Sequence, residues 1–172
     1  MYWFTADEHY KHSRIIDYCN RPFDSIDEND LMLMANHNSV VSKDDTTVHV
    51  GDFGFFRTKK EAGEYIRCLN GNHIFVRGSH DRWAPKSMRE IWKNKIDGQT
   101  VVACHYAMRT WPASHHNSWL LYGHSHGRLP PQGKSWDVGV DCNGYFPVSW
   151  DTVKKIMEGR PDNFNYVHKT KA

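Results

Sequence analysis

Short apolar, β-branched-rich runs recur along the chain and are separated by longer polar stretches. Such runs predict strands at Met1–Thr5, Thr46–Val50, Ile74–Arg77, Thr100–Cys104, Trp119–Tyr122 and Trp136–Val140. Asp97-Gly98 is a hairpin-turn dipeptide leading into the fourth of these. Two helix starts are marked by capping-box spacing. Ser25-Ile-Asp-Glu28 precedes Ile26, Leu31, Met34 and Ala35, and Thr58-Lys-Lys-Glu61 precedes Ala62, Tyr65, Ile66 and Leu69 at helical intervals. A last helix is expected from near Ser149 to Gly159, with a polar tail after it. Strand and helix alternate early, and hairpin-like strands dominate late. The pattern predicts an α/β fold, with helices outside a two-sheet sandwich.

With 172 residues and no repeat, linker or low-complexity block, the chain is expected to form one domain over 1–172. Its formal charge of +2 argues against a nucleic-acid or membrane binder driven by bulk electrostatics, although nucleic acid stays open as a partner through a local basic patch. Cys19, Cys68, Cys104 and Cys142 are scattered, with no C-x-x-C pair, and are expected to be reduced thiols in a cytoplasmic protein. No basic-then-apolar leader opens the chain, and no apolar run approaches the ~20 residues of a membrane span. The oddity is twelve histidines.

Their positions carry the information. YWFT is followed by Asp7-Glu8-His9, and TVHV by Gly51-Asp52. IFV leads, across Arg77, to Gly78-Ser79-His80-Asp81. VVAC is followed by His105, and WLLY by Gly123-His124-Ser125-His126. Five strands thus release Asp or His at their C-terminal ends, the edge where α/β sheets assemble sites. Aspartate with neutral histidine suits divalent manganese, iron, cobalt, nickel or zinc. The i, i+2 spacing of Asp7/His9 and His124/His126 would put both members on one side of an extended segment. That many ligand-type residues exceed a four-ligand structural zinc site and suggest two ions bridged by a carboxylate. A lone D-x-H or a single His105 is ordinarily surface or core. The ordered joint occurrence is what argues for a site. Gly71-Asn72-His73 has similar letters but precedes its strand and lacks a following aspartate, so it is read as a turn.

The ordered set D-x-H, G-D, G-x-H-D, H, G-H-x-H resembles the calcineurin-like metallophosphoesterase superfamily. The flanking Tyr18-Cys-Asn-Arg-Pro-Phe23 and His115-His116-Asn117-Ser118-Trp119 look like its small bacterial and phage-type members. The resemblance implies a four-layer α/β/β/α sandwich with a dinuclear centre. It also implies that Asp7, His9 and His126 hold one ion, that Asp52 bridges, and that His105, His124 and position 79 hold the other. The family has asparagine at that position, and this chain has Ser79.

Two cations about 3.5–4 Å apart neutralise phosphoryl oxygens and lower the pKa of a bound water toward ~7, which supplies a hydroxide nucleophile. His80 is the expected general acid, with Asp81 hydrogen-bonded to its imidazole. Arg77, Arg109 and either His115 or His116 are candidate substrate contacts, because basic side chains suit phosphate. The expected activity is hydrolysis of phosphomonoesters or phosphodiesters of a small molecule or nucleotide. Two divalent ions are expected as cofactor, manganese first. The rival reading is a non-catalytic scaffold that keeps the fold. Ligand retention favours catalysis, with Ser79 the one departure.

Overall fold

The computed structural model describes residues 1–167. Eight strands form two mixed sheets of four, with helices against them. In the first sheet β1 (Tyr2–Thr5) lies parallel to β2 (Thr46–Val50), and β2 parallel to β3 (Asn72–Val76). The short β8 (Val148–Ser149) closes the other edge of β1 antiparallel. In the second sheet β4 (Ile91–Ile96) and β5 (Gln99–Cys104) form a hairpin, and β6 (Trp119–Tyr122) and β7 (Ser135–Asp137) follow in parallel. Asp97 and Gly98 at the hairpin both have positive φ, 47° and 85°, as a two-residue turn requires.

Period-two alternation places the core. Phe4, Val48, Val50 and Val76 face Trp92, Val101, Ala103 and Leu121 between the sheets. The last helix, α4 (Trp150–Glu158), adds Trp150, Val153 and Met157 to that core. The other side of β2 and β3 turns Phe75 toward α2 (Ile26–Val40) and α3 (Lys59–Ile66), where Leu33, Phe53 and Ala62 pack. On the outer face of the second sheet, Val102, Leu120 and Tyr122 are covered by Ala107, Met108 and Trp111 of the β5–β6 connection. That connection carries one 3-10 turn, Ser114–His116.

Both N-caps form, with Ser25 and Thr58 accepting from the backbone N–H of Glu28 and Glu61, while the two glutamates reach back one residue farther, to the N–H of Asp24 and Arg57. Ser149 caps α4, and Gly159 follows its end. Several expectations need correction, among them the turn read at Gly71–His73, since Asn72 and His73 already belong to β3. The run after Trp136 is strand only to Asp137, because Val140–Cys142 curls into a 3-10 turn. Leu31 of α2 is 68% exposed, whereas Asn29, Asp30, Leu33 and His37 are buried, so this helix presents a partly polar face inward. A short helix α1 (Ile15–Cys19) and strands β4 and β8 are additional. All four cysteines are free thiols, and no helix among the described residues is long and apolar enough to cross a membrane.

Candidate metal centre

β1, β2 and β3 are parallel, so their C-terminal ends share one edge, and the loops keep pairing beyond the strands. Asp7 N–H donates to Gly51 O at 3.1 Å, and His9 N–H to Asp52 O at 3.0 Å. The second sheet is tied in where Val140 N–H donates to Ala6 O at 3.0 Å. All five loops therefore meet. How the paired residues turn inward differs from the extended geometry expected of i, i+2 spacing. Asp7, His9, Asp52, His124 and His126 all have left-handed backbone, with φ of 58°, 53°, 55°, 68° and 46°. Asp and His tolerate this region better than most residues, yet each instance costs roughly 1–3 kcal/mol and is kept where surroundings enforce it. Gly78 shows that enforcement. A Cβ there would lie 2.2 Å from both the backbone nitrogen and Oδ1 of Asp52, so only glycine admits the approach.

Two groups of side chains converge. The ligand-type atoms of Asp7, His9 and His126 lie within 4.8 Å of one another, and so do those of Asp52, His105 and His124. Asp52 stands between the groups, its Oδ2 3.2 Å from His105 Nε2 and 3.6 Å from His9 Nε2. His105 is oriented from behind by Nδ1 donating to Val50 O at 3.0 Å, which leaves Nε2 facing Asp52. Asp7 Oδ2 accepts from His124 N–H at 2.8 Å. Its other oxygen, Oδ1, is buried without a partner, as are His9 Nε2 and His105 Nε2. An unsatisfied buried group ordinarily costs about 1–3 kcal/mol. A carboxylate oxygen and two imidazole nitrogens stranded together fit divalent cations, which take them as ligands.

At Asp52 and His9 the protonation states suit that role. Burial pushes Asp52 up, but the His105 imidazole beside it, at 3.2 Å, outweighs that and holds the carboxyl well below the usual carboxylate range. Burial pushes His9 well below the usual imidazole range, leaving it neutral. Asp7 is pushed up to about 7, again by burial. A cation beside it reverses that shift by favouring the carboxylate.

Ser79 reaches the centre, but its hydroxyl donates to Asp52, at 3.2 Å to Oδ2 and 3.4 Å to Oδ1. His80 is on the open side, its side chain 43% exposed and its Nε2 4.0 Å from Asp52 Oδ2. Asp81 does not hold that imidazole, contrary to expectation. Its carboxylate points inward and accepts from the backbone N–H of Asp52, Phe53 and Gly78 and from Trp83 Nε1. The neighbours of the His80 ring are Phe55, stacked at 4.8 Å between centroids, His9 at 5.5 Å and His12 at 6.0 Å, the last itself 3.8 Å from Phe55.

A 320 Å³ cavity opens over His12, His80, His124 and Arg128, and a 350 Å³ cavity lies beyond Ser79, lined by Arg77, Glu90 and Tyr106. Arg77 is thus beside the centre. Arg109 and His115 are not, since the β5–β6 connection runs over the outer face of the second sheet. Arg109 lies over Phe164 at 5.9 Å, and the His115 ring is tilted against His116 at 4.0 Å. Sequence reasoning passed over three supports. Asp137 accepts from Ser125 Oγ, Gly127 N–H and Gly139 N–H, Asp141 accepts from His126 Nδ1, and Arg21 pairs with Asp141. No local spacing announces them.

No family model matches the chain. It is 33% identical over 164 residues to an uncharacterized protein of Methanocaldococcus jannaschii, covering 91% of this chain and 90% of that one. Its structure is similar to that of a protein of unknown function from Aquifex aeolicus, with a TM-score of 0.67, 22% identity, and coverage of 91% and 98% of the two chains. A predicted phosphoesterase from Streptococcus pneumoniae is more distant, with a TM-score of 0.46, 17% identity, and coverage of 80% and 70%. The chain belongs to one family with the archaeal protein.

Proposed function

We propose that the protein is a metal-dependent phosphoesterase that hydrolyses phosphomonoesters or phosphodiesters. One observation carries the reading: Asp52 Oδ2 stands between His9 Nε2 and His105 Nε2, two buried nitrogens with no other partner. Asp7, His9 and His126 would hold one divalent ion, His105 and His124 the other, and Asp52 both, with Ser79 adjacent. Manganese is the first choice, with iron, zinc, nickel and cobalt as alternatives. When bound, the ions supply charge neutralisation at the phosphoryl oxygens and an acidified water.

The remaining work falls to side chains. His80 donates its Nε2 proton to the departing ester oxygen, so the product leaves as a neutral alcohol and the imidazole is left neutral. Phe55 and His12 support that ring, in the place first given to Asp81. Arg77, in the cavity beyond Ser79, is placed to meet a phosphate oxygen or a second substituent. The substrate is a phosphorylated small molecule or nucleotide, and the setting a cytoplasmic single domain. The second reading, a metal-binding scaffold, is favoured only by Ser79, whose hydroxyl is engaged with Asp52.

Elemental analysis followed by an ester panel with Mn²⁺, Ni²⁺, Co²⁺, Mg²⁺ and Zn²⁺ separates these readings. Hydrolysis of nitrophenyl phosphate or bis(nitrophenyl) phosphate that depends on added metal is expected. A metal-loaded chain inert on both leaves the scaffold reading, and a chain that takes up no metal defeats both.

A further inference from the structure

Behind the first ligand group lies a charged cluster that the proposed chemistry does not use. Arg21, in the connection between α1 and α2, has a fully buried side chain, and every one of its five N–H donors is engaged. Nε donates to Asp141 Oδ1 at 2.8 Å. Nη1 donates to Glu8 O and to Asn29 Oδ1, both at 3.0 Å. Nη2 donates to Asp7 O at 2.7 Å and to Asp141 Oδ2 at 2.9 Å. Asp141 Oδ2 also accepts from His126 Nδ1 at 2.7 Å.

Burying an ion pair costs desolvation and adds little stability relative to apolar packing, so a pair this enclosed calls for another explanation. Its contacts supply one. Through two backbone carbonyls Arg21 pins the Asp7–His9 loop, whose ends have the unfavourable φ of 58° and 53°. Through Asp141, whose carboxylate can only accept, it fixes the His126 ring with a proton on Nδ1, the arrangement that orients ligating histidines. Among the described residues, no hydrogen bond of Arg21 or Asp141 reaches Asp52, His105 or His124. We infer that Arg21 and Asp141 are positioning residues that set the geometry of the first ion's ligands alone. This rests on the metal-binding reading proposed above.

Asp141→Asn is the informative variant. The amide keeps the shape but offers one acceptor oxygen where the carboxylate's two oxygens meet three donors, so the His126 or the Arg21 contact is lost. The full chain, stripped of metal, is titrated with Mn²⁺ and with Zn²⁺ by calorimetry. Wild type should take two ions. D141N should lose about 10–100-fold in affinity at one site, the range for an outer partner of a ligating histidine. In a His9→Ala background, where that site is already impaired, D141N should change nothing at the other.

Unchanged affinity in a folded D141N overturns the inference, and so does an equal loss at both sites. Because the sulfur of Cys19 lies within 4.8 Å of the His126 and Asp141 atoms, a third ion lost from D141N with the first two intact also overturns it. If D141N fails to fold, imidazole ¹⁵N spectra of the zinc-loaded wild type decide. A proton on His126 Nδ1 is expected, and one on Nε2 overturns the inference. A wild type that takes up no divalent ion removes the metal reading itself, whereas D141N matching a two-ion wild type removes only this inference.

Discussion

The two ligand groups are built to different standards. Each member of the first has a supporting contact: Asp7 with His124 N–H, His9 with His12 at 3.2 Å, and His126 with Asp141. The second group leans on Val50 O for His105 and His80 N–H for Asp52. Its third member, His124, is exposed, and its ring packs edge-on against His105 and the half-exposed Tyr106. Ser79, where a longer ligand is expected, is turned to Asp52. Enclosure and pre-set ligands favour retention of an ion, while a group with an exposed member favours exchange. The contrast points to one firmly held ion and one that follows the metal concentration.

Asp52→Asn should break the comparison most severely, because it removes the atom common to both groups. Metal content should fall at both sites, and activity should drop by more than the 10–100-fold of an outer-partner change. A variant that loses one ion and keeps the other at wild-type affinity would show that Asp52 does not bridge.

His80→Ala should leave both ions in place and lower turnover by roughly 10²–10⁴-fold on esters with poor leaving groups. Nitrophenyl esters, which need less help in departing, should lose less. Equal losses on both ester types would assign His80 another task. Asp81→Asn tests the corrected role of its neighbour. One amide oxygen cannot accept the four N–H groups that the carboxylate holds, and each stranded donor costs about 1–3 kcal/mol. With two of the four left stranded, Tm should fall by about 4 °C or more, at roughly 2–4 °C per kcal/mol for a chain of this size.

Where the chain could be read from its letters, each residue announced its own surroundings. Asp7, His9, Asp52, His105, His124 and His126 each follow an apolar run, so their shared edge needed only strand direction. Contacts between distant residues were not legible. Arg21 and Asp141 are 120 positions apart, and although Arg21 sits in the Tyr18–Phe23 segment, nothing local couples it to Asp141. Asp81 was misread because adjacency to His80 suggested a pair, whereas the loop sends the two side chains in opposite directions. Arg109 and His115 were misplaced because loop composition does not say over which face a connection runs. The strand at Ile91–Ile96 buries only Trp92 and Ile96, too sparse a pattern to register, and α2 hid its inward face because that face carries Asn29 and Asp30.

Ser79→Asn should give the smallest change and test the comparison most directly. The serine hydroxyl is one carbon nearer the backbone than an asparagine amide oxygen, and it is committed as a donor to Asp52 at 3.2 Å. An amide separates the two tasks, since Nδ2–H can keep the contact to Asp52 while Oδ1, an acceptor only, faces the cation. The gain should fall on the open group and leave the enclosed one alone. The metal concentration giving half-maximal activity should drop about tenfold, equivalent to about 1.4 kcal/mol at one site. Turnover at saturating metal should change far less, because saturation already fills both sites. A metal titration of activity in both proteins, with calorimetry to count ions, reads the two quantities separately. Matching activation curves would mean that Ser79 already serves as well as an asparagine, and the unequal-site account would fail. Tighter binding at both sites would also defeat it, because the two groups would then be coupled through Asp52 rather than built to different standards.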